Sequence, residues 1–282
     1  MVLEDLIRAT ARRLQDAGIS APLFDARQLV AGVVGKEASA LSLYSQYAVS
    51  DAEQGVLESF VQRRLAREPV GRIMGCRGFW TLDLELNAAT LEPRPDTETL
   101  VEAVLRFCPD RGRAMRILDL GTGSGALLLA LLEEFPRAWG VGIDVSQLAV
   151  ECARANAFRN GFGERACFIT GSWGQAISGA FDLVVSNPPY IVPQDVPFLE
   201  PEVRLYDPPL ALVGDDDGLG CYRRFLPDAE NLLKPGGFLA VEVGLGQFRD
   251  VGNMLVNHGF SDYEVIRDLG GIERCLCAFK PA

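Results

Sequence analysis

Asn187-Pro188-Pro189-Tyr190 stands at the end of the apolar run Phe181-Asp182-Leu183-Val184-Val185-Ser186. A β-branched run of this kind reads as a buried strand. Neither proline has an N–H to donate to a ladder, and each holds φ near about −65°. Pro188 also restricts Asn187 towards extended geometry. The stiff exit leaves the Asn187 side-chain carbonyl and a proline backbone carbonyl free to accept hydrogen bonds, with the Tyr190 ring beside them. Two acceptors and a flat ring suit a planar –NH₂ group. Taken alone, the four residues also fit a strand that simply ends in a proline-rich turn, and a second motif upstream narrows the choice.

That motif is Ile117-Leu118-Asp119-Leu120-Gly121-Thr122-Gly123-Ser124-Gly125, followed by the apolar stretch Ala126 to Leu132. A strand runs into a glycine loop that opens a helix, and glycine lets backbone approach a ligand closely. The spacing is G-x-G-x-G, which differs from the dinucleotide fingerprint G-x-G-x-x-G. No G-x-x-x-x-G-K-[ST] occurs, which argues against a nucleoside triphosphatase. The next strand, Trp139 to Ile143, ends in Asp144, a carboxylate placed to accept from ribose hydroxyls. Ser146 N-caps the helix after it. A third strand, Ala166 to Thr170, leads to Trp173, an aromatic that could flank an adenine. All these residues fall at carboxyl ends of successive strands, where doubly wound sheets form their ligand crevice. The glycine loop with Asp144 suggests nucleoside binding. Adding Asn187 to Tyr190 points to S-adenosylmethionine-dependent methylation of an amino or amide nitrogen.

Composition sets the outer limits. The chain has 282 residues, a hydrophobic content of 48% and a formal net charge of −11. These values fit one large or two smaller domains with a substantial core. The acidic balance argues against free DNA or RNA as principal partner, because phosphate neutralisation needs Lys/Arg patches. The pairs Arg12-Arg13, Arg63-Arg64 and Arg223-Arg224 are scattered and read as solvated helix faces. Seven cysteines without a C-x-x-C pair suggest reduced thiols packed as small hydrophobes. His258 is the single histidine, so a His-based triad is not expected and neither is a metal. The N-terminus lacks a signal-peptide h-region, and no stretch approaches the about 20 apolar residues of a membrane span. Cytoplasmic location is the expectation.

The elements follow from periodicity and punctuation. Residues 1–72 read as a helical bundle: one helix ends near Gly18, a second runs from Pro22 to near Gly35, and a third opens with the capping box Ser50 to Glu53 and ends at Pro69 and Gly71. This unit is expected to serve in packing or partner docking. Residues 73–92 read as a β-hairpin linker, from the alternation Phe79 to Leu86. Pro93-Arg94-Pro95-Asp96-Thr97-Glu98 is a stiff turn that presents Arg94 as a rigid cation and feeds a helix to Phe107. Within residues 93–282, strands and helices alternate from 114 onward, so the sheet should be mainly parallel. Val192 to Asp217 reads as a long loop, Asp217 to Leu233 as a helix, Lys234 to Gly237 as a turn and Phe238 to Val243 as the fifth strand. Asp262 to Ile266 and Arg274 to Phe279 form a terminal antiparallel hairpin at the sheet edge.

With these motifs the chain resembles the release-factor glutamine N5-methyltransferases (PrmC/HemK) along essentially its whole length. The resemblance rests on the helical N-terminal module, Pro93 to Glu98, Asp119 to Gly125, Gly171-Ser172-Trp173, Asn187 to Ile191, Glu200-Pro201-Glu202-Val203 and Asp217-Gly218-Leu219. The tetrapeptide alone is shared with enzymes that methylate adenine or guanine amino groups; its co-occurrence with R-P-D-T-E and E-P-E-V points to this family. Asp215 and Glu92 depart from the family's pattern, where glycine and an apolar residue commonly stand. The resemblance implies a doubly wound, seven-stranded class I methyltransferase sheet, mostly parallel with an antiparallel edge strand, behind a small N-terminal helical domain. It implies methyl transfer from S-adenosylmethionine, leaving S-adenosylhomocysteine, to the glutamine amide of the Gly-Gly-Gln loop of peptide chain release factors. The expected cofactor site is Asp119, Gly121, Thr122, Gly123, Gly125, Asp144, Trp173 and Asn187. The expected substrate site is Asn187, Pro188, Pro189, Tyr190 and Arg94, with Asn187, Pro188 and Tyr190 carrying catalysis. The competing readings are an amino-methyltransferase for a nucleic-acid base, a nicotinamide or flavin oxidoreductase, and a silent binding module.

Overall fold

The computed structural model describes residues 1–175 and 177–282, in two compact units. The first unit comprises Met1–Cys76 together with Glu200–Tyr206. Its helices span Leu3–Asp16, Pro22–Val34, Asp51–Leu65 and Val70–Met74, with a 3₁₀ segment at Ala38–Tyr44. The apolar stripes Leu3, Ile7, Leu14 and Leu29, Val30, Leu57, Val61 meet in one core. The capping box is formed on both sides: Ser50 N donates to Glu53 at 2.8 Å, and the Ser50 hydroxyl accepts from Glu53 N at 3.3 Å. The third helix stops at Leu65, and Pro69 caps a further five-residue helix. A fixed φ suits a helix start as well as a helix stop, so the expectation that Pro69 and Gly71 only terminate is corrected.

A second correction concerns Arg64, expected on a solvated face. It is 5% exposed. Its Nε lies 2.7 Å from Asp25 Oδ2 and its Nη1 2.9 Å from Glu202 Oε1. Truncating one member of a buried charge cluster strands the others. Arg64→Ala is therefore expected to lower the stability of this unit by about 3 kcal/mol, measured by urea unfolding followed at the helical signal. An unchanged midpoint would remove Arg64 from the core of the unit.

The second unit, Arg77–Leu199 with Asp207–Ala282, holds the sheet. A small hairpin pairs β1 (Cys76–Phe79) with β2 (Leu82–Glu85). The main strands are β3 (Arg116–Leu120), β4 (Trp139–Asp144), β5 (Ala166–Thr170), β6 (Phe181–Ser186), β7 (Leu233–Glu242), β8 (Glu264–Arg267) and β9 (Glu273–Phe279). Their spatial order is β5-β4-β3-β6-β7-β9-β8. The first five are parallel, and β9 is antiparallel to both β7 and β8. Order reverses between β3 and β6, so a crevice opens where their carboxyl ends diverge. Alternate residues feed opposite cores: Ile117, Leu183, Val185, Phe238 and Ala240 pack on one face, and Leu118, Val184, Leu239 and Val241 on the other. Helices cover both faces, which is why these strands read as unbroken apolar runs. Ala126–Glu134 is buried nearly all round, consistent with a helix wedged against a sheet.

Three boundaries differ from expectation. Lys234 to Gly237 lies inside β7 as an irregularity, since Phe181 pairs with Leu233 and Leu183 with Phe238. The helix expected from Asp217 begins at Gly220, because Gly218 has φ +74° and ends local turn geometry first. The 192–217 stretch is broken into Pro193–Phe198, Pro201–Tyr206 and Pro209–Ala211, all short helical turns opened by proline. Among the described residues no helix is long and apolar enough to cross a membrane.

Candidate active site

The β3 exit turns sharply back. Gly121 N and Thr122 N both donate to Ile143 O at 2.9 Å, which ties the glycine loop to the end of β4. Gly121 has φ +77°, and a Cβ there would lie 3.6 Å from the Trp173 ring and 4.0 Å from Asn187 O. One glycine thus brings three separate motifs into contact. Gly123 N donates to Asp144 Oδ2 and Ser146 N to Asp144 Oδ1, each at 2.9 Å. These bonds aim the Asp144 carboxylate, while burial raises its pKa. Trp173 takes φ +50°, and its ring packs 5.3 Å from that of Phe225.

Asp119 sits beneath the loop, 1% exposed. Its Oδ2 accepts from the Thr122 hydroxyl at 2.7 Å, and its Oδ1 has no hydrogen-bond partner among the described residues. Burial, reinforced by the neighbouring Asp144 charge, pushes the Asp119 pKa up to about 7. A half-satisfied buried carboxylate needs an explanation, and an incoming positive or donor group supplies one.

The Asn187 corner is held from several sides. The Ser186 hydroxyl donates to Leu120 O at 2.6 Å, which locks the ends of β6 and β3 together. Asn187 Nδ2 donates to Thr97 Oγ1 at 3.1 Å. The Tyr190 hydroxyl donates to Glu242 Oε1 at 3.1 Å, and Gln247 Nε2 donates to Tyr190 O at 3.0 Å. Ile191 N donates to Leu212 O at 2.9 Å, and Gly214 N to Ile191 O at 3.0 Å. Gly218 is a close-approach residue: a Cβ there would lie 2.5 Å from Tyr190 O. The D-G-L motif therefore braces the corner from behind.

A cavity of about 350 Å³ is lined by Asp119, Gly121, Thr122, Gly123, Asp144, Trp173, Asn187 and Pro189. Its size suits a nucleoside-sized ligand. A narrow slot beside it is lined by Arg94, Asn187, Pro188, Tyr190 and Glu242. Asn187 borders both spaces. The structure thus gathers the expected residues, with one exception. Gly125 does not line either space; it has φ +85° at the start of the Ala126–Glu134 helix, and a Cβ there would lie 3.3 Å from Ala153 and 3.4 Å from Phe168. Its place is helix entry and packing. Arg94 borders the slot and not the larger cavity.

Sequence reasoning left Thr97 and Glu242 without a role. Thr97 lay inside a quoted motif. Glu242 is the lone acid in the apolar run Phe238 to Val243, and an acid at an inward strand position was the available signal. Asp215, which stands in place of a common glycine, takes φ +67° and pairs with Arg224 at 2.5 Å.

Residues 5–75 match the PrmC N-terminal domain, and residues 112–253 match a methyltransferase domain. A release factor glutamine methyltransferase of Rhodospirillum rubrum is 50% identical over 282 residues, covering 100% of this chain and 86% of that protein. That of Agrobacterium fabrum is 45% identical over 271 residues, covering 95% and 94%. Among solved structures, a methyltransferase from Pyrococcus furiosus superimposes with a TM-score of 0.52 at 19% identity, covering 83% of this chain and 100% of that one. The hMettl16 catalytic domain gives a TM-score of 0.59 at 13% identity, covering 88% and 90%. These two likenesses show the shared fold. With half its residues identical to a full-length relative, the chain belongs to the release factor glutamine methyltransferases.

Proposed function

We propose that this protein transfers a methyl group from S-adenosylmethionine to the side-chain amide nitrogen of the glutamine in the Gly-Gly-Gln motif of peptide chain release factors. The observation that carries this reading is Asn187, which borders both the 350 Å³ cavity and the narrow slot. A group held there meets both substrates. The cofactor fits the cavity's chemistry: Asp144 offers an aimed carboxylate for ribose hydroxyls, Trp173 a ring for the adenine, and Gly121 to Gly123 a close backbone. Asp119 offers a carboxylate oxygen that no described residue satisfies. Bound S-adenosylmethionine would supply a methyl carbon already activated by its sulfonium.

An amide nitrogen is a poor nucleophile because its lone pair is delocalised into the carbonyl. Placement is what the protein adds, since in-line approach within about 3–3.5 Å removes much of the entropic barrier. The Asn187 side-chain oxygen and the Pro188 carbonyl accept the two N–H bonds of the target amide. That aims the nitrogen and stabilises positive charge developing on it. Tyr190 packs against the amide plane, and Arg94 reaches the substrate from the slot's rim. The methylated nitrogen, once positive, loses its proton to water, so no general base is required before attack. The helical unit, which exposes Leu23, Phe24, Leu43 and Val56, serves to dock the protein partner. The reading places the protein in the cytoplasm.

Mass spectrometry of purified release factors after incubation with labelled cofactor tests this. One methyl group on the Gly-Gly-Gln glutamine is expected; label on DNA or ribosomal RNA in its place would overturn the reading. Asp144→Ala should weaken S-adenosylmethionine binding by about 10- to 100-fold, the loss of a charged hydrogen-bonding partner. Calorimetry reads this directly, and wild-type affinity would remove Asp144 from the site.

A further inference from the structure

The geometry points to Thr97 and Glu242 as positioning residues that fix which end of the Asn187 carboxamide faces the substrate. The inference rests on the role given to Asn187 above and deepens it. An asparagine amide has a donor end and an acceptor end of nearly equal shape. Only the acceptor end can hold a substrate –NH₂; with the amide reversed, two donors would face each other. Something in the fold must therefore choose.

The choice is made by a chain of buried groups. Asn187 Nδ2 donates to Thr97 Oγ1 at 3.1 Å, and Thr97 is 5% exposed. The Tyr190 hydroxyl donates to Glu242 Oε1 at 3.1 Å, and Glu242 is 2% exposed. Burial raises the Glu242 pKa, and the Thr97 and Tyr190 hydroxyls with Arg274 and Arg94 oppose that rise. The second carboxylate oxygen, Oε2, is buried and has no hydrogen-bond partner among the described residues. We place the Thr97 proton on that open acceptor, the Thr97 hydroxyl being a neighbour that acts on the Glu242 carboxyl. An ionised carboxylate accepts only. Tyr190 must then donate to it, and so must Thr97. With its proton committed, the Thr97 oxygen can only accept from Asn187, which has to present Nδ2. Oδ1 is left for the slot. With Glu242 ionised, the direction of every bond follows from one buried negative charge; Thr97 borders the cavity and Glu242 the slot, and both act on the target amide through Asn187. If Glu242 were neutral and able to donate, Thr97 could give its proton to Asn187, and the amide would turn over.

Three variants test this in the full chain: Glu242→Gln, Thr97→Val and Thr97→Ser. Each is measured for kcat and KM with a release factor, for S-adenosylmethionine affinity by calorimetry, and for Tm. Glutamine keeps the shape of Glu242 but mixes a donor with an acceptor, so the chain loses its direction. Glu242→Gln and Thr97→Val should each lower kcat about 10-fold or more, with cofactor affinity and Tm near wild type. Thr97→Ser, which restores the hydroxyl, should recover most of the turnover. Two results would overturn the assignment. One is wild-type turnover in Glu242→Gln and Thr97→Val. The other is a loss of kcat matched by equal losses of cofactor affinity and Tm, the mark of a merely structural role. A wild-type chain that leaves the release-factor glutamine unmethylated would instead overturn the reading on which the inference rests, and the parallel wild-type assay separates the two failures.

Discussion

Asn187→Ala is expected to lower kcat by about 10²- to 10³-fold, the cost of deleting one preorganised polar contact to developing charge. S-adenosylmethionine affinity should stay close to wild type. The asymmetry follows from where Asn187 sits. It borders both the large cavity and the slot, yet the cavity has a separate set of polar groups in Asp119, Asp144 and the glycine-loop backbone. Removing one carboxamide leaves that set intact. The slot has no substitute: Pro188 can offer a single backbone carbonyl, and the alanine side chain offers none. The substrate amide would then rotate about its one remaining hydrogen bond and spend little time in line. Single-turnover methylation of a release factor, beside calorimetry with the cofactor, reads the two quantities independently. Turnover within a factor of a few of wild type would refute the role of Asn187, and a parallel collapse of cofactor binding would make it a cofactor residue only.

Much of this site was legible because strand ends are legible. Apolar runs bounded by glycine or proline located β3, β4, β5 and β6 within a residue or so, and a parallel sheet has to bring their carboxyl ends together. Asp144, Gly121, Trp173 and Asn187 therefore met as expected without any knowledge of sheet order. What stayed hidden depends on lateral order or on pairing across long separations. Glu242 reaches Tyr190 only because β7 lies next to β6, a fact of topology that no local pattern carries. Thr97 and Asn187 are 90 positions apart, and Arg64 and Glu202 are 138 apart. Arg64 follows Arg63, and two adjacent arginines look alike in sequence. One of them pairs at the partly exposed Glu68, while the other is pulled inward by Asp25. Charge burial is decided by partners, and partners are decided by the fold. Gly125 is a different case, lying outside both spaces. Its spacing matched a ligand loop, while its missing side chain serves helix packing against Ala153 and Phe168.

Asp119→Asn is expected to change the pH dependence of stability more than any other single substitution in the cleft. The Asp119 carboxyl has a folded-state pKa of about 7 against an ordinary value of 3.8. The folded chain therefore holds a proton that the unfolded chain has released between these values. Stability falls wherever the folded state binds more protons as pH rises, so the wild type should lose stability from about pH 4 to about pH 7 through this group. Roughly three units at about 1.4 kcal/mol each give a loss of about 4 kcal/mol. Asparagine cannot ionise and lacks this slope. An Nδ2 without an acceptor beneath the loop adds a constant cost of about 1–3 kcal/mol, but a constant cost leaves the slope untouched. The measured quantity is thus a double difference: the stability gap between variant and wild type should shift by about 4 kcal/mol in the variant's favour between pH 4 and pH 8. The same carboxylate links to the cofactor. A positively charged ligand in the cavity favours ionised Asp119, so wild-type affinity for S-adenosylmethionine should rise as pH passes through 7, and this rise should be absent in Asp119→Asn. Parallel stability curves for the two proteins, together with equal pH profiles of cofactor affinity, would show that Asp119 is already ionised in the free protein and that its unpartnered oxygen plays no part in binding.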